Sequence, residues 1–97
     1  MYIEVSQQHI TKERDKAREL RKSRWWQNIL SAGTTCYYCQ KAIVKQDITM
    51  DHIVPVSQGG FSTKGNVVAC CKSCNSLKKD MTAAEWQLHL ESLAHKG

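Results

Sequence analysis

One proline and five glycines in 97 residues are too few for a collagen-like or low-complexity chain, and 41% hydrophobic content excludes a disordered one. No apolar run is longer than VVACC at 67–71, far short of the roughly 20 residues that a bilayer-spanning helix needs. A single globular domain over 1–97, with no membrane partner, is therefore expected. The opening residues MYIEVSQQH lack the basic start, apolar middle and small-residue cleavage site of a secretory leader, so the expected compartment is the reducing cytoplasm. Disulfides are not expected there, and five cysteines cannot all pair with one another.

Acidic charge is also scarce. Lys and Arg number 14 against 9 Asp and Glu, a formal +5, and the excess is concentrated. Between Lys12 and Arg24, seven basic residues face only Glu13, Asp15 and Glu19, a local +4. Such a field suits a polyanionic partner such as nucleic acid, with Arg14, Arg18, Arg21 and Lys22 as candidate contacts.

Residues 6–31 contain no Gly or Pro and are rich in Lys, Arg, Glu, Gln and Leu, which predicts one long basic helix or a pair of helices stopped near Gly33. Ile10, Ala17, Leu20 and then Ile29 or Leu30 form only a sparse apolar stripe. Trp25 and Trp26 point about 100° apart on a helix, so one of them is expected to pack. Residues 34–81 read as a turn-rich β segment. A strand over 48–54 must end before Pro55, a Gly- and Ser-rich loop follows, and then come a short strand over 66–70 and a helix over 72–79. Thr82 and Glu85 carry a capping-box signature, and Trp86, Leu90 and Leu93 give the closing helix over 82–95 an apolar face.

Cys36 and Cys39 stand in CYYC, and Cys71 and Cys74 in CKSC. Each two-residue gap lets a tight turn aim both sulfurs at one ion, and two such turns complete the tetrahedron that Zn2+ prefers. With all four positions filled by protein, the ion is structural. Cys70 is left over and reads as a buried small hydrophobe.

Between the cysteine pairs lies an Asp51-His52 dipeptide, then the paired glycines of SQGG, Asn66 at the second strand, and CKSCN followed by Lys78 and Lys79. In these elements and their order, residues 36–79 resemble the HNH endonucleases with a ββα-metal active site, in the variety framed by two CxxC zinc turns. The resemblance implies an α+β fold: a small ββα-metal module flanked by a basic N-terminal helix and an amphipathic C-terminal helix. It also implies a metal-dependent DNA endonuclease. His52 would be the general base, Asp51 and Asn75 would hold the catalytic ion, and Asn66 would brace the loop and orient the histidine. The last motif position, often histidine in the family, is Asn75 here.

The chemistry of these residue types agrees with those roles. Hydrolysis of a phosphodiester needs a deprotonated water and charge relief on phosphate. A neutral imidazole can accept the proton, and the oxygen donors of Asp51 and Asn75 suit Mg2+ or Mn2+. Lys78 and Lys79 return to the helix face of Asn75, where Lys78 can meet a phosphate and Lys79 can equally serve the helix end. Because neighbouring strand residues face opposite ways, Asp51 and His52 are expected to share a site only through a sharp twist or bulge. A catalytically inactive, zinc-stabilised nucleic-acid-binding module is the alternative, and either a monomer or a homodimer is compatible with the sequence.

Overall fold

The computed structural model of the chain describes residues 4–94. Two helices, α1 (Gln7–Lys22) and α2 (Arg24–Ala32), precede a two-stranded antiparallel sheet of β1 (Ile48–His52) and β2 (Val67–Cys71). Helices α3 (Lys72–Asp80) and α4 (Ala83–Ala94) complete this α+β arrangement, with β1, β2 and α3 as its ββα unit.

The basic segment forms a helix pair because Ser23 serves two helix ends at once. Its backbone is extended, its hydroxyl donates to Leu20 O at 2.6 Å, and the same oxygen accepts from Trp26 N–H at 3.3 Å. Trp26 is buried, whereas Trp25 is partly exposed with the Lys64 ammonium 5.6 Å above its ring.

The strands pair without a bulge from Ile48 opposite Cys71 to His52 opposite Val67. The first strand therefore stops at His52, two residues short of the expected end, for a local reason. Both backbone groups of Val54 are taken by the Asn66 side chain, which accepts from Val54 N–H at 2.9 Å and donates to Val54 O at 3.0 Å. This clasp also keeps Asn66 outside β2, so the second strand begins one residue later than expected. Inside the loop, Gly59 has a φ of 91° and a Cβ on Gly60 would run into the Val54 carbonyl, so each glycine is needed for a different reason.

β2 runs directly into α3. Cys71 is both the last strand residue and the helix N-cap, its sulfur accepting from Cys74 N–H at 3.4 Å. The capping box of α4 is formed as expected: Thr82 N–H donates to Glu85 Oε1 at 2.9 Å, and Glu85 N–H to Thr82 Oγ1 at 3.1 Å. That helix lays Trp86 and Leu90 on a core of Cys36, Ile43, Cys70 and Cys74. His95, the expected end of the helix, lies outside the described residues.

Candidate active site

The sulfurs of Cys36, Cys39, Cys71 and Cys74 all lie within 4.8 Å of one another. A tetrahedral ion with bonds of about 2.3 Å sets its thiolates roughly 3.8 Å apart, so a small closure brings these four onto one ion. The cluster is thus positioned to bind a metal and is compatible with zinc. Cys70 is fully buried outside this set, its thiol donating to Cys71 O at 3.3 Å.

The four sulfurs bring the start of α3 to the Cys36–Cys39 turn, and α3 meets β1 in two successive rungs. Asn75 Nδ2 donates to Thr49 Oγ1 at 3.3 Å, and one turn later Lys78 Nζ donates to Asp51 Oδ2 at 2.7 Å. Thr49 and Asp51 share a strand face, as Asn75 and Lys78 share a helix face, so each rung repeats the other's geometry. The structure consequently pairs Asp51 with Lys78 and leaves Asn75 one rung away. Lys78 also donates to His52 O at 2.6 Å.

Tyr38, inside the first CxxC turn, donates its hydroxyl to Asp51 Oδ2 at 2.6 Å. Burial, reinforced by this carboxylate, raises the Tyr38 pKa, so the phenol stays a donor. Nothing in the spacing of CYYC singles out Tyr38 over Tyr37; the choice follows from which ring faces the sheet.

The His52 ring turns away from Asp51, as neighbouring strand positions require, and its Nε2 lies 2.9 Å from Ser62 Oγ. Burial lowers the His52 pKa below the ordinary histidine value, outweighing the opposing pull of Asp51, and this favours the neutral ring near pH 7. Ser62 in turn touches Glu13 of α1, donating its N–H to Oε1 at 2.7 Å and its hydroxyl to the Glu13 main-chain oxygen at 2.6 Å. The N–H bond from Ser62 holds the Glu13 carboxyl below its ordinary pKa despite burial. A signal for Glu13 does exist in the sequence: it fills the gap at helical spacing in the stripe Ile10, Ala17, Leu20. Ser62 has no such signal.

Despite facing opposite ways, Asp51 and His52 both line one open cavity of about 620 Å³. No bulge is needed, because the cavity sits at the end of β1 and receives both faces of the strand. Arg14, Arg18 and Arg21 from α1 form one wall, and Lys78 and Lys79 from α3 another. Lys22 lies outside that wall, with its ammonium 3.9 Å from Glu19. Asn75 is not among the lining residues. Asn66 braces the loop, donating to Phe61 O at 2.8 Å besides its bonds to Val54, while the ring of His52 is held by Ser62.

Among the described residues no helix is long and apolar enough to cross a membrane. The family model for the HNH endonuclease matches residues 36–91, more than half of the 97-residue chain. Among curated proteins, the CRISPR-associated endonuclease Cas9 of Corynebacterium diphtheriae is 37% identical over 62 residues, 63% of this chain and 6% of that protein. The CRISPR-associated endonuclease Cas9 of Actinomyces naeslundii is 38% identical over 55 residues, 56% of this chain and 5% of that protein. The chain thus matches a small fraction of the length of either relative.

Proposed function

Because the chain belongs to the HNH endonuclease family, we propose that it is a metal-dependent DNA endonuclease in which His52 is the general base. The observation that carries this reading is the single cavity shared by Asp51 and His52 and walled by three arginines. Arg14, Arg18 and Arg21 take the phosphates flanking the scissile bond and bring that bond to the end of β1. His52, neutral and anchored through Nε2, accepts the proton of the attacking water. Lys78 holds positive charge beside Asp51, where phosphate negative charge accumulates during attack.

Asp51 would hold Mg2+ or Mn2+, with the amide oxygen of Asn75, one rung away on Thr49, as the second oxygen donor, and the bound ion would supply Lewis-acid relief of charge on the phosphate. The Lys78 ammonium on Asp51 Oδ2 is consistent with a position built for a cation. The four-cysteine cluster would hold a structural Zn2+, which would keep α3, with Asn75 and Lys78, in register with β1. As a monomer the protein would nick one strand; a symmetric homodimer would present two sites to opposite strands.

The test is incubation of supercoiled plasmid with the zinc-loaded chain and Mg2+ or Mn2+, beside a His52→Ala variant. The parent should relax the plasmid, and the variant should bind DNA without cutting. Cleavage by His52→Ala at the parent rate would place the base elsewhere. A folded parent that binds DNA but cuts with neither ion is instead a non-catalytic nucleic-acid-binding module.

A further inference from the structure

We propose that Glu13 and Ser62 are positioning residues for His52, so that α1 sets the state of the general base as well as offering charge to DNA. The inference rests on the assignment of His52 as the base. Its basis is a count of protons along one chain of contacts. Ser62 has a single hydroxyl proton, and the Glu13 main-chain oxygen, which can only accept, takes it at 2.6 Å. Ser62 Oγ therefore has only lone pairs to offer His52 Nε2 at 2.9 Å, and the ring must donate there. A neutral imidazole with its proton on Nε2 carries its free lone pair on Nδ1. The contact with α1 thus selects which nitrogen can accept a proton from water.

Ser62 is held at both ends by one residue, since its N–H also donates to the Glu13 carboxylate at 2.7 Å. Glu13 is 1% and Ser62 8% exposed, so the pair is shielded from water that would compete for either bond. An apolar residue at position 13 would continue the stripe of α1 and satisfy packing alone. A buried carboxylate is costly without partners, and this one has the Ser62 N–H and, at 3.5 Å, the Lys16 ammonium. A separate contact already ties the loop to α1: His9 Nε2 lies 3.0 Å from the Gly60 carbonyl oxygen. Anchoring the loop therefore does not by itself call for the Glu13–Ser62 pair. At the other end, Lys78 fixes the His52 carbonyl at 2.6 Å, so the backbone and the ring of the base are held by different helices.

The experiment is ¹⁵N NMR of the His52 ring in the full, zinc-loaded chain, combined with single-turnover cleavage and DNA affinity for Ser62→Ala, Ser62→Thr and Glu13→Leu. The parent should show His52 protonated at Nε2. Ser62→Ala should lose that preference and cut roughly tenfold to a hundredfold more slowly, with DNA affinity and zinc content near those of the parent. Ser62→Thr, which keeps the hydroxyl, should recover both the tautomer and most of the rate. Glu13→Leu should fall between them, because the main-chain acceptor survives while the carboxylate grip is lost. A parent with the proton on Nδ1 overturns the proposal even if every variant fails to fold, and so does a Ser62→Ala protein that cuts at the parent rate. If His52→Ala itself cuts normally, the assignment of the base fails instead; a wrong tautomer with an inactive His52→Ala removes only the positioning role.

Discussion

Replacing Cys71 by serine separates two jobs that this residue performs at the junction of β2 and α3. Its sulfur caps α3 by accepting from Cys74 N–H, and it belongs to the four-sulfur cluster. Serine is a good N-cap, so Cys71→Ser preserves that contribution of about 1 kcal/mol or improves it. What it removes is a thiolate ligand. Structural zinc contributes on the order of 10–16 kcal/mol to small zinc domains, whereas the whole net stability of a domain is about 5–15 kcal/mol. The buried core offers little to offset the loss: of Cys36, Ile43, Cys70, Cys74 and Trp86, two are themselves members of the cluster. Cys71→Ser should therefore lose zinc stoichiometry and cooperative thermal melting together, and strong chelation should do the same to the parent. Circular dichroism melts with metal analysis on one preparation measure both. A variant that lacks zinc yet melts at the parent temperature would show that the apolar core suffices and would refute the reasoning.

The remaining predictions concern the site. With burial holding His52 below its ordinary value of 6.5, cleavage should persist through that pH and fall only as pH drops through the lowered value; a pH–rate profile whose acid limb lies above 6.5 contradicts this. Replacing Arg14, Arg18 and Arg21 together by alanine should weaken binding evenly across DNA sequences and reduce the log–log salt slope by up to about 3, near 0.9 per lost phosphate contact. An unchanged slope in the folded variant would take α1 off the DNA. Asn75→Ala should lose most activity with every metal, whereas Asn75→His should move the preference from Mg2+ toward Ni2+, Co2+ or Zn2+. Rates over a metal panel decide this, and parent-like cleavage by Asn75→Ala with Mg2+ or Mn2+ removes Asn75 as a ligand.

The features legible in the sequence are those set by short-range spacing. Two CxxC turns imply one four-sulfur cluster wherever the chain brings them together, and Thr82 with Glu85 implies a helix start, because each needs only a few adjacent residues to be satisfied. The β–loop–β–α order is local in the same sense, whereas the end of β1 at His52, two residues before the expected one, depends on the Asn66 clasp on Val54. Tertiary structure decided which side chain meets which. The rung register between β1 and α3 pairs Asp51 with Lys78 and Asn75 with Thr49, and a helix shifted by one turn would bring Asn75 to Asp51 instead without changing a residue. Tyr38 rather than Tyr37 reaches Asp51 because the Cys36–Cys39 turn presents that ring to the sheet. Glu13 meets Ser62 across 49 residues of chain, and nothing in either local sequence specifies the other. That contact exists because α1 packs against the loop after β1, and only packing brings a buried carboxylate to the serine that holds the His52 ring.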